Sequence, residues 1–311
     1  MTVTSTSKTK STINNADLQT IKRRFALATI TIPTVGAITA LLTLWQWGIG
    51  WLEISLLVSM YFLSLIGITV GFHRHFAHKA FAVKPMVRIV LGILGSIAAQ
   101  GPLINWISTH RCHHQYSDRP GDPHSPYFHH QEKLSYFQGL WHAHIGWMIN
   151  GEMVNSARFA KDLLQDRAIA TINRMYLVWV ALGLIIPAIF GGVLTWTWLG
   201  VLKGFFWGGL VRIFLVHQIT WSVNSICHSW GTRSFDTQER STNNVWLAIF
   251  SLGETWHNNH HAFPYSAIFG LKWWQIDIGG WTIRLLEKIG LVWDIKKPNE
   301  VNIAAKEAAQ T

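Results

Sequence analysis

The chain has 311 residues, with 14% charged, 13% aromatic, 18 Trp and a formal net charge of +10. Soluble globular domains carry about 25% charged residues, so the shortfall argues against an ordinary soluble fold. No nucleic-acid-binding module or solenoid repeat absorbs the basic excess, which suits anionic lipid headgroups or an acidic protein partner.

In chain order, residues 1–24 are polar and rich in Ser, Thr and Lys. They lack the apolar core of a signal peptide and are expected to be a disordered tail. Four long apolar runs follow. Phe25–Leu52, Ile54–Phe72 and Met175–Leu202 contain no charged residue, and Gly204–Ile226 contains only Arg212. About 20 mostly apolar residues cross a bilayer, so each run is expected to be a transmembrane helix. Arg212, costly against lipid, is expected to face the helix bundle.

Lys8, Lys10, Lys22, Arg23 and Arg24 precede the first run, and Arg74, Lys79, Lys84 and Arg88 follow the second. The links within each pair of runs hold at most Lys203. The bias of Lys and Arg toward cytoplasmic loops then puts both termini in the cytoplasm, with two short turns outside. Ile89–Trp106 is also apolar, but Gly101-Pro102 interrupts it, and it is expected to lie in or dip into the interface without crossing. The run 245–253 is too short to span. "WTIRLLEKIGLVW" (281–293) reads as an interfacial amphipathic helix, and 297–311 as a polar C-terminal tail. Cys112 and Cys227 fall in predicted cytoplasmic segments, where no disulfide is expected.

With these crossings, every histidine-rich stretch lies on the cytoplasmic side. His110, His113 and His114 are spaced i, i+3, i+4, which shares one helix face, and His257, His260 and His261 repeat that spacing. His73 and His78 are five apart, a poor fit to an α-helical face, and are placed where the second span ends and its backbone loosens. His228 follows the fourth span. Imidazole is the commonest side-chain metal ligand, and these are too many for one ion, so two ions with four or five imidazoles each are expected. Spacing alone leaves Zn, Cu, Fe and Ni open. Glu254, Asp118, Asp122 and Asp236 lie near the boxes and are candidates to accept the outer N–H of metal-bound imidazoles. His75, His124, His129, His130, His142, His144 and His217 fall outside the pattern and are read as structural.

The motifs "GITVGFHRHFAH", "HRCHHQYSD", "DPHSP", "HIGWM", "NSICHSWG" and "GETWHNNHHAFP" resemble signatures of the membrane-bound fatty acid desaturase family. They are most similar to the Δ9-type branch of stearoyl-CoA and cyanobacterial acyl-lipid enzymes. The resemblance implies an all-α membrane protein whose four transmembrane helices carry a cytoplasmic helical cap holding a histidine-rich di-metal site. It implies a single membrane desaturase domain over 25–296. It also implies that His73, His78, His110, His113, His114, His228, His257, His260 and His261 ligate two Fe ions, with Asn224 reaching one through water. Imidazole sites also take up zinc, an expected artefact of overexpression.

The implied reaction is O2-dependent insertion of a carbon–carbon double bond into a fatty acyl chain. Two electrons come from an external acidic ferredoxin or cytochrome b5, since no "HPGG" haem box is present. A hydroxylase or an acetylenase on the same scaffold is the alternative. Acyl-CoA members carry an Arg-Asp pair and basic residues that hold the CoA head group, where this chain has Ser108-Thr109 and Asn150-Gly151. That departure favours an acyl group on a lipid or an acyl carrier protein. Tyr61 is a candidate to narrow the far end of an acyl tunnel, and a short tunnel would fit a shorter chain.

Overall fold

The computed structural model describes residues 11–13 and 15–308. The protein is mostly helical, and four helices are long and apolar enough to cross a bilayer: Ala16–Leu42, Trp51–Ala77, Tyr176–Thr195 and Trp198–Ser225. Trp45 and Trp51 flank the turn between the first two, and Trp196 and Trp198 the turn between the last two. All four rings are 84–95% exposed, as expected for an aromatic belt at a membrane interface. The other ends of the spans lead into the histidine-rich half.

The fourth span is central and packs on the other three. Arg212 sits in it with no exposed surface. Its guanidinium donates to the carbonyls of Ile97 (2.6 Å), Gly183 (2.6 Å) and Gly208 (3.2 Å) and to Ser64 Oγ (3.2 Å). The charge thus faces the bundle and ties three neighbouring elements to one side chain.

Ile89–Trp106 divides at the glycine-proline break. Pro85–Ile97 is one helix and Leu103–Tyr116 the next. At 1.5 Å per residue the first is roughly 20 Å long, too short for a bilayer core of about 30 Å. It lies along the second span so closely that a Cβ on Gly67 would come 2.1 Å from the backbone at Leu94 and Gly95. The segment 245–253 forms only turns, with Val245, Trp246, Ile249 and Phe250 exposed. The helix Ile278–Lys288 buries Ile283 and leaves Trp281 and Leu285 outward.

Three expectations are corrected. Residues 1–10 and 14 lie outside the described residues, but the expected tail ends well before residue 24. The first helix begins at Ala16, where the Asn15 side chain accepts from Leu18 N and caps it. Thr12–Ile13 also pairs antiparallel with Met153–Val154. The polar spelling of 16–24 concealed a helix whose Leu18 and Ile21 line an apolar cavity. At the other end, the polar tail contains the helix Glu300–Ala308, whose Ile303 packs on Phe235 and Phe263 and whose Lys306 donates to Ala262 O. Asp236, expected beside an imidazole, is mostly exposed and pairs with Arg233 at 3.6 Å.

Candidate metal centre

The second span is α-helical to Ile66 and π-helical from Gly67 to Ala77. A π-helix bonds i to i+5, and His78 N donates to His73 O at 3.1 Å. The five-residue spacing that fits no α-helical face is therefore close to one π turn, and the two rings lie 4.9 Å apart. Arg111 locks this end to the next box. Its guanidinium donates to the carbonyls of Phe76 (2.7 Å) and Ala77 (3.0 Å) and pairs with Asp162 at 2.7 Å.

His257, His260 and His261 ride on the short helix His257–Ala262. The two asparagines between them are buried and hold the loop. Asn258 Oδ1 accepts from Ser234 N and Phe235 N, and Asn259 Nδ2 donates to Phe269 O and to Gln275 Oε1. His228 follows the fourth span, and its carbonyl accepts from Tyr127 at 2.5 Å.

All nine box histidines come together, in two groups. His73, His78, His110, His114 and His260 form one, and His113, His228, His257 and His261 the other; within each, the ligating atoms lie within 4.8 Å of one another. The boxes divide crosswise. Leu103–Tyr116 sends its i and i+4 histidines to the first group and its i+3 to the second, while His257–Ala262 does the reverse. The groups abut, with the rings of His114 and His261 stacked at 4.5 Å.

Four of the outer nitrogens meet acids, whereas Nδ1 of His257 and Nδ1 of His260 are buried without a hydrogen-bond partner among the described residues. His113 Nδ1 lies 3.0 Å from both oxygens of Asp122, and His228 Nδ1 lies 2.9 Å from Asp118. His261 Nδ1 is 3.7 Å from Glu239, and His73 Nδ1 contacts Glu254. A carboxylate only accepts, so these imidazoles carry their proton on Nδ1 and turn a bare Nε2 inward. There, Nε2 atoms face one another at 2.8–3.1 Å: His78 with His110, His73 and His114 with His260, and His257 with His228 and His261. Among the described residues, His113 Nε2 is buried with no hydrogen-bond partner. Converging lone pairs at such distances repel unless a cation lies among them, so the residues fit a pair of metal ions.

The electrostatics agree. Burial pushes His78, His110, His114, His257, His260 and His261 well below the usual histidine value, and His113 down to about 3. They stay neutral, as ligation requires. His228 is the exception: burial lowers it, but the charge and hydrogen bond of Asp118 outweigh that and raise it to about 8. Burial lifts Glu254 to about 8 against the pull of Arg74, and a cation on the far side of His73 would draw it back down.

Two buried groups near the centre had no signal in the motif spacing. Arg74 is fully buried, stacks 3.9 Å from the Phe269 ring and bonds both Glu254 and Asp277. Asp277, far from any box, also accepts from Phe269 N and Gly280 N. Of the histidines read as structural, His75 meets Phe81 O, His217 the carbonyls of Ala98 and Ala99, and His144 Ser225 and Gln218. His124 is closer to the centre, stacked 4.3 Å from His113. Cys112 and Cys227 are buried free thiols.

A pocket reaches this centre from the bundle. An apolar cavity of about 450 Å³ opens between Leu18–Thr29 and the turn at Gln100–Asn105. It continues past Gln100, Asn105, Trp147 and Met148 into a narrow pocket of about 70 Å³ lined by His110, His124 and Asn224. Trp106 Nε1 donates to Gln100 at 3.1 Å, and Gln100 in turn bonds Thr220 across the passage.

The fatty acid desaturase family model matches residues 45–284. The chain is 48% identical over 309 residues to the hex-5-enoyl-[acyl-carrier protein] acetylenase of Moorena producens, covering 98% of this chain and 95% of that one. It is 36% identical to the sn-1 stearoyl-lipid 9-desaturase of Anabaena variabilis (79% and 85% covered). It is 37% identical to the acyl-CoA C20 Δ5-desaturase of Anemone leveillei (77% and 72% covered). With most of its length inside the family model, and nine histidines gathered beside an apolar passage, this chain belongs to the fatty acid desaturase family, oxidoreductases that act on fatty acyl chains.

Proposed function

We propose that this protein is an O2-dependent di-iron desaturase–acetylenase acting on a short acyl chain carried by an acyl carrier protein. One observation carries the reading. The likeness to the carrier-protein acetylenase runs the length of both chains at 48%, whereas lipid and CoA desaturases alike share 36–37% over about four fifths of this chain.

In this reading the five-histidine group holds one iron. The four-histidine group holds the other, with Asn224 completing it through water. When bound, the irons supply an oxidant strong enough to take hydrogen from an unactivated C–H bond. Each round consumes O2, two electrons and two protons, removes two hydrogens from the chain and releases two waters. A first round gives an alkene and a second, on the same carbons, an alkyne. The electrons come from an external ferredoxin or cytochrome b5 at the cytoplasmic face, where the helical cap and both termini lie.

The protein's own residues orient and shield. The passage past Trp106 and Gln100 leads the chain to His110 and keeps bulk water out. Tyr61, whose hydroxyl donates to Phe250 O at 2.7 Å, is the candidate to limit the far end of the acyl path. The positions that bind a CoA head group in acyl-CoA relatives are polar and already engaged. Ser108 donates to Ile104 O (2.6 Å) and shares a hydrogen bond with the Ser156 hydroxyl (2.9 Å), and Asn150 contacts His129 at 3.1 Å.

The test presents one hexenoyl chain as carrier-protein thioester, CoA thioester and glycerolipid to the iron-loaded enzyme with a ferredoxin reducing system. The expected result is fastest turnover on the carrier thioester, with product lighter by two hydrogens in mass spectrometry. Fastest turnover on the glycerolipid or the CoA thioester would overturn the reading, and product heavier by one oxygen would make the enzyme a hydroxylase.

A further inference from the structure

The apolar cavity shares Ile104, Leu164 and Asn173 with a second groove, of about 600 Å³, that opens outward and carries Arg167 and Arg174. The segment around that groove spends its acids inward. Asp162 pairs with Arg111 (2.7 Å) and Lys79 (2.8 Å), and Asp166 with Arg88 (2.5 Å) while capping Ile169 N. Its bases point the other way. Lys161, Arg167 and Arg174 are exposed, and among the described residues none of the three has an ion pair.

The helix Arg167–Arg174 sets their alignment. Ile169 and Ile172 are buried, which anchors one face. Arg167, Thr171 and Arg174 at i, i+4 and i+7 line up on the opposite face. The two guanidiniums are thus spread along roughly 10 Å of helix. That is longer than one phosphate group, and it matches about two turns of a facing acidic helix.

We propose that this stripe is the docking surface for the acyl carrier protein, an acidic partner that presents its acyl group on a phosphopantetheine arm. The arm passes from the arginine groove over Leu164 and Asn173 into the cavity, delivering the chain toward His110. The proposal rests on the carrier-protein reading above. Lipid headgroups would also meet arginines at a membrane surface, but they need no stripe aligned with the cavity mouth.

The experiment uses the full-length, iron-loaded protein and its Arg167→Glu/Arg174→Glu double variant, with hexenoyl on acyl carrier protein and on pantetheine. Rim charges act mainly on encounter. The variant should therefore raise KM for the carrier thioester roughly tenfold at low salt, about 1.4 kcal/mol, with kcat little changed. The effect should shrink as salt screens the pair. Turnover of the pantetheine thioester, which needs the same fold, iron and electron donor but no carrier contact, should be retained. A carrier with lysines replacing acids on its docking helix should recover the variant's KM.

If the wild type uses the carrier thioester and the variant matches it, the docking surface is elsewhere while the carrier reading stands. Equal loss on both thioesters would overturn the proposal in favour of donor docking or folding. A wild type that prefers glycerolipid, with the variant impaired there, would remove the carrier reading and make the stripe a lipid contact.

Discussion

Replacing Glu254 with Gln tests whether the two histidine groups are separate metal positions. Glu254 offers Oε1 to Arg74 (3.2 and 3.3 Å) and its other oxygen to His73 Nδ1. Glutamine has a single acceptor. If that oxygen stays on Arg74, the amide N–H2 faces His73 Nδ1, donor against donor. The ring is then driven to the tautomer with its proton on Nε2, the atom that faces His260 at 3.0 Å. Losing one charge-assisted hydrogen bond costs about 1.5–3 kcal/mol. Outer partners of metal-bound imidazoles alter metal affinity by roughly 10–100-fold, so the two scales agree. His73 belongs only to the five-histidine group, and the acids beside His113 and His228 are untouched. Iron retained after dialysis against a competing chelator should therefore fall from two per chain toward one, with turnover falling in parallel. Retention of both irons, or matched loss of both, would refute the reasoning.

Other outcomes follow from the same geometry. His113→Ala or His260→Ala should abolish product while the protein remains in the membrane fraction, whereas His129→Ala, whose ring among the described residues meets Asn150 and neighbouring imidazoles, should stay active; equal inactivity would place His129 in the catalytic centre. Stripping metal should lower the melting temperature, because a ligand at 100-fold over its Kd stabilises by about 2.7 kcal/mol, and re-adding iron should restore it. Arg212→Leu removes donors from four acceptors; at roughly 0.6 kcal/mol each within a bundle the loss is about 2 kcal/mol, read as a lower melting temperature, and an unchanged one would mean that the contacts contribute little.

The spans and the nine histidines were legible because both signals are local. A charge-free run reports burial in lipid by itself, and i, i+3, i+4 spacing reports a shared face without knowledge of what faces it. Arg74 and Asp277 were not legible, because their meaning lies in pairing across 203 positions of sequence. Judged by its neighbours, Arg74 was simply a basic residue at the end of a span. Asp236 is close to the boxes in sequence, but the loop turns it to solvent while Asp277 comes in from afar. The start of the first helix is hidden by the polarity of residues 16–24, which by composition alone looks like disorder. Asn15 caps a helix in which Lys22, Arg23 and Arg24 extend a transmembrane span beyond the apolar run.

The π-helical stretch Gly67–Ala77 acts as a phase slip in the second span. A π turn is equivalent to one residue added to an α-helix, which rotates everything beyond it by about 100° and advances it 1.5 Å. The membrane-facing part of the span can then keep the orientation that suits lipid and neighbouring helices, while the part bearing His73 and His78 keeps another that suits the metal. The two demands are independently adjustable in one continuous rod. Sequence drift in Trp51–Ile66 need not be transmitted to the histidines, but removal of a single residue between Gly67 and Phe72 would return the rod to one phase and swing both rings away from their partners.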